Sequence, residues 1–139
     1  MVAMNEDALA TFLETDFPQV GGQYRVDRLT DDGLVLRLVV EEAHLRPGGT
    51  VSGPAMFGLA DVAVYLAILS RIGPEALAVT TNCSIDFMRK PEAGRDVLCE
   101  VRILKLGRRL AVGEAHLTSD GGSEIVARAS MTYSIPPRG

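Results

Sequence analysis

Apolar positions recur along this chain with two different periods, and the change from one to the other divides it into elements. From Asn5 or Glu6 to about Thr15, Leu9, Phe12 and Leu13 fall at helical spacing with Pro18 beyond the end, which predicts a short amphipathic helix. QYRVDRL and LVLRLVVE flank an Asp-Asp-Gly turn and predict an antiparallel hairpin. A Pro/Gly loop, EAHLRPGGTVSG, then leads into PAMFGLADVAVYLAILSR, a run that is apolar around nearly its whole circumference. Pro54 suits the first helical position, where a missing N–H costs nothing, and Gly73-Pro74 ends the helix. Four strand-length runs follow, LAVTTNCSIDFM, RDVLCEVRILKLG, RLAVGEAHLTS and SEIVARASMTYSI. The connections RKPEAG, GRR and DGG are short, which predicts a four-stranded antiparallel meander.

A helix apolar on every side must be covered on every side. A six-stranded antiparallel sheet curled around it covers most of that surface, and a second subunit covers the rest. The expected class is therefore α+β, one domain over residues 1–139, with a short N-terminal helix and one long central helix. The run Pro54 to Leu69 spans 16 residues and is interrupted by Asp61, against about 20 needed to cross a bilayer, so it reads as a buried helix with no membrane role.

Composition narrows the function classes. A net charge of −4 gives no attraction to nucleic acid or an anionic membrane. Cys83 and Cys99 form no CxxC, and the two histidines complete no ligand pattern with them, so no metal is expected and a reducing, cytoplasmic setting fits. The N-terminus carries acids early and lacks the basic start of a secretory signal. What remains unexplained is Asp61 itself. An unpaired carboxylate in an apolar interior costs several kcal/mol, so such an acid has either hydrogen-bonding partners or a chemical task.

The stretch HLRPGGTVSGPAMFGLAD, His44 to Asp61, resembles the loop and helix of hotdog-fold acyl-CoA thioesterases similar to phenylacetyl-CoA thioesterase, the PaaI-like group. That family pattern runs His-x-Asn, then Gly-x-x-His-Gly-Gly, then an acid within LxD. His44, Gly49, Gly53 and Asp61 match in register; Arg46 replaces the Asn, Ser52 the His and Pro54 the second Gly. TTNCSIDFMRKPEAGRDV and LKLGRRLAV extend the resemblance, which covers about Gly21 to Ile135.

The resemblance implies the hotdog fold and hydrolysis of a small or medium acyl-CoA, with coenzyme A entering only as part of the substrate. It makes Asp61 the nucleophile or general base, and it gives the Gly53 N–H the task of polarising the thioester carbonyl. Thr80 falls where the family places a Ser or Thr that holds the water or the acid. Arg46 near Asp61 would pair with it, and Ser52 cannot titrate near neutral pH as a His can. His44, Pro54 and Phe57 border the substrate on this reading, although His44 equally suits loop packing. Arg89, Lys90, Arg108 and Arg109 are either solvated turn residues or hold the phosphates of coenzyme A. A homodimer, or a dimer of dimers, is expected because the central helix leaves apolar surface that one chain cannot cover, and distance requires at least two subunits. Asp61 lies eight residues beyond Gly53, about 12 Å along a helix, so one carbonyl meets both only if they come from two subunits with antiparallel helices, approaching near Phe57 and Gly58. A hotdog protein that binds acyl thioesters without hydrolysing them is the alternative, since Arg46, Ser52 and Pro54 depart from the pattern.

Overall fold

The order of elements follows the hydrophobic pattern closely. The computed structural model describes residues 2–137, so Met1, Arg138 and Gly139 of the expected 1–139 domain lie outside it. Helix α1 spans Glu6–Thr15 and a short turn, α2, spans Pro18–Gly21. Strands β1 (Tyr24–Leu29) and β2 (Gly33–Leu38) form the first hairpin, and α3 (Gly53–Ile72) is the long helix. Strands β3 (Val79–Phe87), β4 (Val97–Leu106), β5 (Leu110–Ser119) and β6 (Ile125–Ser134) complete the chain. All pairings are antiparallel, and together they make one six-stranded sheet curled around α3, the hotdog arrangement.

The strand order corrects the expected meander. It is β1-β2-β4-β5-β6-β3, so β4, β5 and β6 follow one another but β3 pairs with β6 at the far edge. The RKPEAG segment is consequently a crossover rather than a hairpin turn. Its physical cause is α3, about 30 Å long, which carries the chain beneath the whole sheet after β2 and delivers it to the opposite edge. The chain must then return across the sheet end before β4 can pair with β2. Arg37 of β2 fixes the landing point. Its guanidinium contacts Asp27 at 3.0 Å, Asp96 at 3.0 Å and Asp120 at 2.7 Å, while the Val40 N–H donates to Asp96 Oδ1. The Arg37 hydrogen bond holds the Asp120 carboxyl below the usual carboxylate range.

Helix α3 starts one residue earlier than Pro54 predicts. Ser52 is its N-cap, accepting from the Ala55 N–H at 3.2 Å, and Pro54 sits in the first turn. At 20 residues with a mean hydropathy of 1.7, it is long and apolar enough to cross a bilayer, longer than the run from Pro54 to Leu69 suggests. It packs instead against β2, β3, β4, β5 and β6. Every residue from Val62 to Ser70 is buried. Helix α1, capped by Asn5, buries Leu9, Phe12 and Leu13 and lies against β1, α2 and α3. Pro54 and Phe57 remain exposed on α3, with Gly53, Ala55, Gly58 and Asp61 half-buried beside them. The opening between the two sheet edges is thereby confined to the N-terminal half of α3.

Close contact between α3 and the sheet depends on Gly113 of β5. A Cβ there would lie 2.9 Å from Val64 Cγ1 and 3.6 Å from Val101 Cγ1. Gly113→Ala is expected to destabilise the fold by about 1–3 kcal/mol through overpacking, and adding Val64→Ala should return part of the loss. Urea unfolding of the two variants measures both effects.

Candidate active site

Asp61 emerges from α3 into this opening and is not bare. Thr80 Oγ1 of β3 donates to its Oδ1 at 2.6 Å, and Tyr133 Oη of β6 lies 2.6 Å from the same oxygen. Tyr133 Oη is also 2.9 Å from the Asp61 carbonyl oxygen, but its single proton favours the ionised acceptor. Thr80 and Tyr133 are a register pair of β3 and β6. A bulge at Thr81 shifts the alternation of β3, so that Thr80 and Cys83, three residues apart, both face inward. The hydroxyls that receive the acid are therefore delivered by strand pairing, and the desolvation cost of the carboxylate is met by two short hydrogen bonds.

The charge at Asp61 acts on its neighbours. Burial, followed by the Asp61 charge, pushes the Tyr133 phenol well above its ordinary range, so it stays a protonated donor. The same two causes in the same order raise the Tyr24 phenol and the Cys83 thiol. Burial, with Asp16 and Glu75, pushes the Tyr65 phenol up to about 12. Asp61 lines a cleft of about 540 Å³ together with Phe17, Val62, Tyr65, Thr80 and Tyr133, and with Asp16 and Gln19 at its α1–α2 side.

Gly53 lies in a different cavity. This one is about 290 Å³ and is lined by Gly53, Met56, Phe87, Met88 and Pro91, with Arg46, Arg89 and Lys90 also in its wall. The Phe87 ring lies 3.5 Å from where a Cβ on Gly53 would stand. Among the described residues the Gly53 N–H makes no hydrogen bond, whereas the Ser52 side chain and carbonyl engage the N–H groups of Ala55 and Met56. Gly53 thus offers a free amide at the positive end of a long helix.

The remaining candidates divide between these places. Arg46 stands in the Gly53 cavity, and among the described residues no hydrogen bond or ion pair joins it to Asp61. Arg89 pairs with Glu124 beside Lys90. Arg108 and Arg109 line a separate cavity with Ile72, at the other end of α3 and about 28 Å along the helix from Gly53. His44 has both ring nitrogens engaged within the chain. Nδ1 accepts from the Glu41 N–H at 2.9 Å, which leaves the proton on Nε2 to donate to Gln23 Oε1 at 2.9 Å. The space beside Gly58, expected to admit a twin helix, faces the Tyr24 hydroxyl of the same chain at 3.2 Å. Phe57 stays exposed. Among the described residues no three His, Cys, Asp or Glu side chains gather as metal ligands. Sequence reasoning missed Tyr133, whose place in an alternating strand is indistinguishable from that of a core aromatic.

The comparisons with known proteins agree with this fold. The family model described as Thioesterase superfamily matches residues 48–126. A crystal structure of a provisionally named thioesterase from a Silicibacter species is 57% identical, covers 99% of this chain and 95% of its own, and superposes with a TM-score of 0.92. A point variant of the phenylacetic acid degradation protein PaaI from Thermus thermophilus is 29% identical, covering 86% of this chain and 99% of its own, with a TM-score of 0.72. Human acyl-coenzyme A thioesterase 13 is 25% identical over 121 residues, 86% of this chain and 85% of that protein.

The shared field of Asp61 gives a test that needs no substrate. Asp61→Asn removes a negative charge beside Tyr24 and Tyr133, which makes the phenolates easier to form. Tyrosine ionisation followed by ultraviolet absorbance is expected to begin at lower pH in the variant than in the parent protein.

Proposed function

From the premise that the chain belongs to the thioesterase superfamily, we propose that it hydrolyses an acyl-CoA thioester at a site assembled from two copies of the chain. The observation that carries this reading is the separation of Asp61 and Gly53 into two cavities of one chain. Neither cavity holds both a carboxylate and a free amide donor. Two α3 helices running antiparallel across a two-fold axis bring Asp61 of one copy to Gly53 of the other, and they do so twice. The open edge of β3 supports such a pairing, because β3 pairs on one side only and Val79 and Phe87 at its two ends, like Phe57 on α3, are exposed.

In the assembled site the thioester carbonyl points at the Gly53 N–H, which stabilises negative charge as the oxyanion forms. Asp61 supplies the carboxylate by one of two routes: it takes the proton of a water that adds to the carbonyl carbon, or it adds to that carbon itself. Collapse of the tetrahedral intermediate breaks the C–S bond and expels the thiolate, which takes up the proton from Asp61 or from solvent. In the first route the acyl group leaves directly as the acid; in the second it stays on Asp61 as a mixed anhydride, which a water hydrolyses to the acid and the free Asp61 carboxylate. The cleft beside Asp61, walled by Phe17, Val62, Tyr65 and Tyr133, accommodates a medium-sized or aromatic acyl group. Arg46, Arg89 and Lys90 beside Gly53 suit the phosphates of coenzyme A, and the antiparallel arrangement returns Arg46 to the neighbourhood of the second copy's Asp61. The name of human acyl-coenzyme A thioesterase 13 supports this substrate class.

Thiol release from a panel of acyl-CoAs tests the activity. Asp61→Asn is expected to lower kcat by about 100-fold or more while the protein stays folded. Gly53→Pro removes the amide hydrogen at a first-turn position that suits proline; the Cβ it adds meets nothing closer than the Phe87 ring, and Ser52 before it already has the extended backbone that a following proline requires. This variant should also be inactive. Mixing the two inactive variants and letting subunits exchange should restore about a quarter of the parental activity, since half of the dimers are mixed and each carries one intact site of two. A mixture that stays inactive despite exchange excludes the shared site.

A further inference from the structure

The hydrogen bonds at Asp61 are unequal between its two oxygens. Thr80 and Tyr133 both meet Oδ1 at 2.6 Å, and among the described residues no hydrogen bond reaches Oδ2. The phenol also touches the Asp61 carbonyl oxygen at 2.9 Å, so it contacts the side chain and the backbone of the same residue. Its own position is firmly set. Tyr133 is 3% exposed and stacks on Tyr65, with centroids 5.8 Å apart and planes at 23°. Tyr65 is held in turn by Phe17, edge-on at 6.0 Å, by Phe12 at 6.0 Å, and by donation to the Ala76 carbonyl at 3.1 Å. An aromatic column therefore runs from α1 and the α1–α2 corner through α3 to β6, and its last member ends at Asp61.

We propose that Tyr133 is a positioning residue for the reaction: by holding Oδ1 of Asp61 together with Thr80, it presents Oδ2 as the oxygen that meets the substrate or the attacking water. The inference rests on the reading of Asp61 as the reacting carboxylate. An aspartate on a helix otherwise exchanges among staggered rotamers, each of which aims its oxygens differently. Two donors arriving from paired strands select one of them. Thr80 alone leaves the carboxylate free to rotate about its single contact, and the second contact removes that freedom. Burial keeps the phenol protonated, so the clamp holds across the working pH range.

The test compares steady-state kinetics of Tyr133→Phe, Thr80→Val and the double variant with those of Asp61→Asn. Tyr133→Phe keeps the ring and its stack on Tyr65 and removes only the hydroxyl. It is expected to lower kcat by about 10- to 100-fold with KM changed by less than about twofold, the split that follows when the reacting group is misplaced but binding is intact. The double variant should lose more than the product of the two single losses, because each donor partly compensates for the other. Where Tyr133→Phe does not accumulate as folded protein, 3-fluorotyrosine at position 133 preserves the shape and changes the donor strength. A change in kcat without a change in KM then supports the proposal, and no change overturns it. An inactive Asp61→Asn beside a Tyr133→Phe of undiminished kcat overturns the positioning role and leaves the carboxylate standing. An active Asp61→Asn removes both.

Discussion

Between Gly53 and Ser70 the central helix carries one charge, Asp61, and everything about the site follows from where that charge can be tolerated. A helix with apolar residues on every side is stable only when surrounded, and the curled sheet surrounds it except along one opening. A carboxylate placed toward the sheet would be stripped of water at a cost of several kcal/mol. Placed at the opening, it keeps partial access to solvent and comes within reach of strands from the closing edge. Thr80 and Tyr133 meet it there. The same charge, after burial, suppresses ionisation of the nearby phenols, so Tyr133, a donor that holds the carboxylate, is kept in its donating form partly by the group it holds.

That dependence separates what could be read from the sequence from what could not. Asp61 was legible because it breaks a pattern: one acid in an apolar run is a costly exception that needs a reason. The helix and the six strands were legible for the complementary reason, that period and turn residues are local properties. Strand order was not, since nothing local distinguishes a crossover such as RKPEAG from a long hairpin loop. The distinction depends on α3 carrying the chain to the far edge of the sheet, which is a property of the assembled fold. Tyr133 was illegible on the same ground. It alternates with Ala129 and Met131 as any buried strand residue would, and becomes special only because β6 pairs with β3 and not merely with β5. The position of Arg46 depends likewise on a loop path that spacing alone does not define.

The departures from the family pattern acquire physical meaning in this setting. Ser52 spends its hydroxyl on the Ala55 N–H, so the residue that replaces a titratable His serves as the helix cap. Pro54 has no amide hydrogen, and the N–H groups of Ala55 and Met56 are taken by Ser52. In the first turn of α3 this leaves the Gly53 amide as the free backbone donor. The substitutions therefore concentrate the donor capacity of the helix N-terminus on one group, where a chain with the second Gly would offer two. Whatever negative charge arrives there has a single hydrogen-bonding address, and its direction is fixed by the helix.

A rigid helix also fixes what one chain cannot do. Gly53 and Asp61 are eight positions apart, and no rotamer of Asp61 spans about 12 Å to place its carboxylate and the Gly53 amide against one carbonyl group. Flexibility does not relieve this, because α3 is held along its length by five strands. The two chemical groups can cooperate only across a boundary between copies, and the surfaces that would meet there are those the fold leaves uncovered: the exposed stripe of α3 and the unpaired edge of β3. In the proposed two-copy site, covering the exposed stripe of the helix and completing the catalytic set would be the same event. The apolar area that one chain leaves open would supply the association energy for that proposal, and antiparallel helices closing it would carry the carboxylate and the amide to each other.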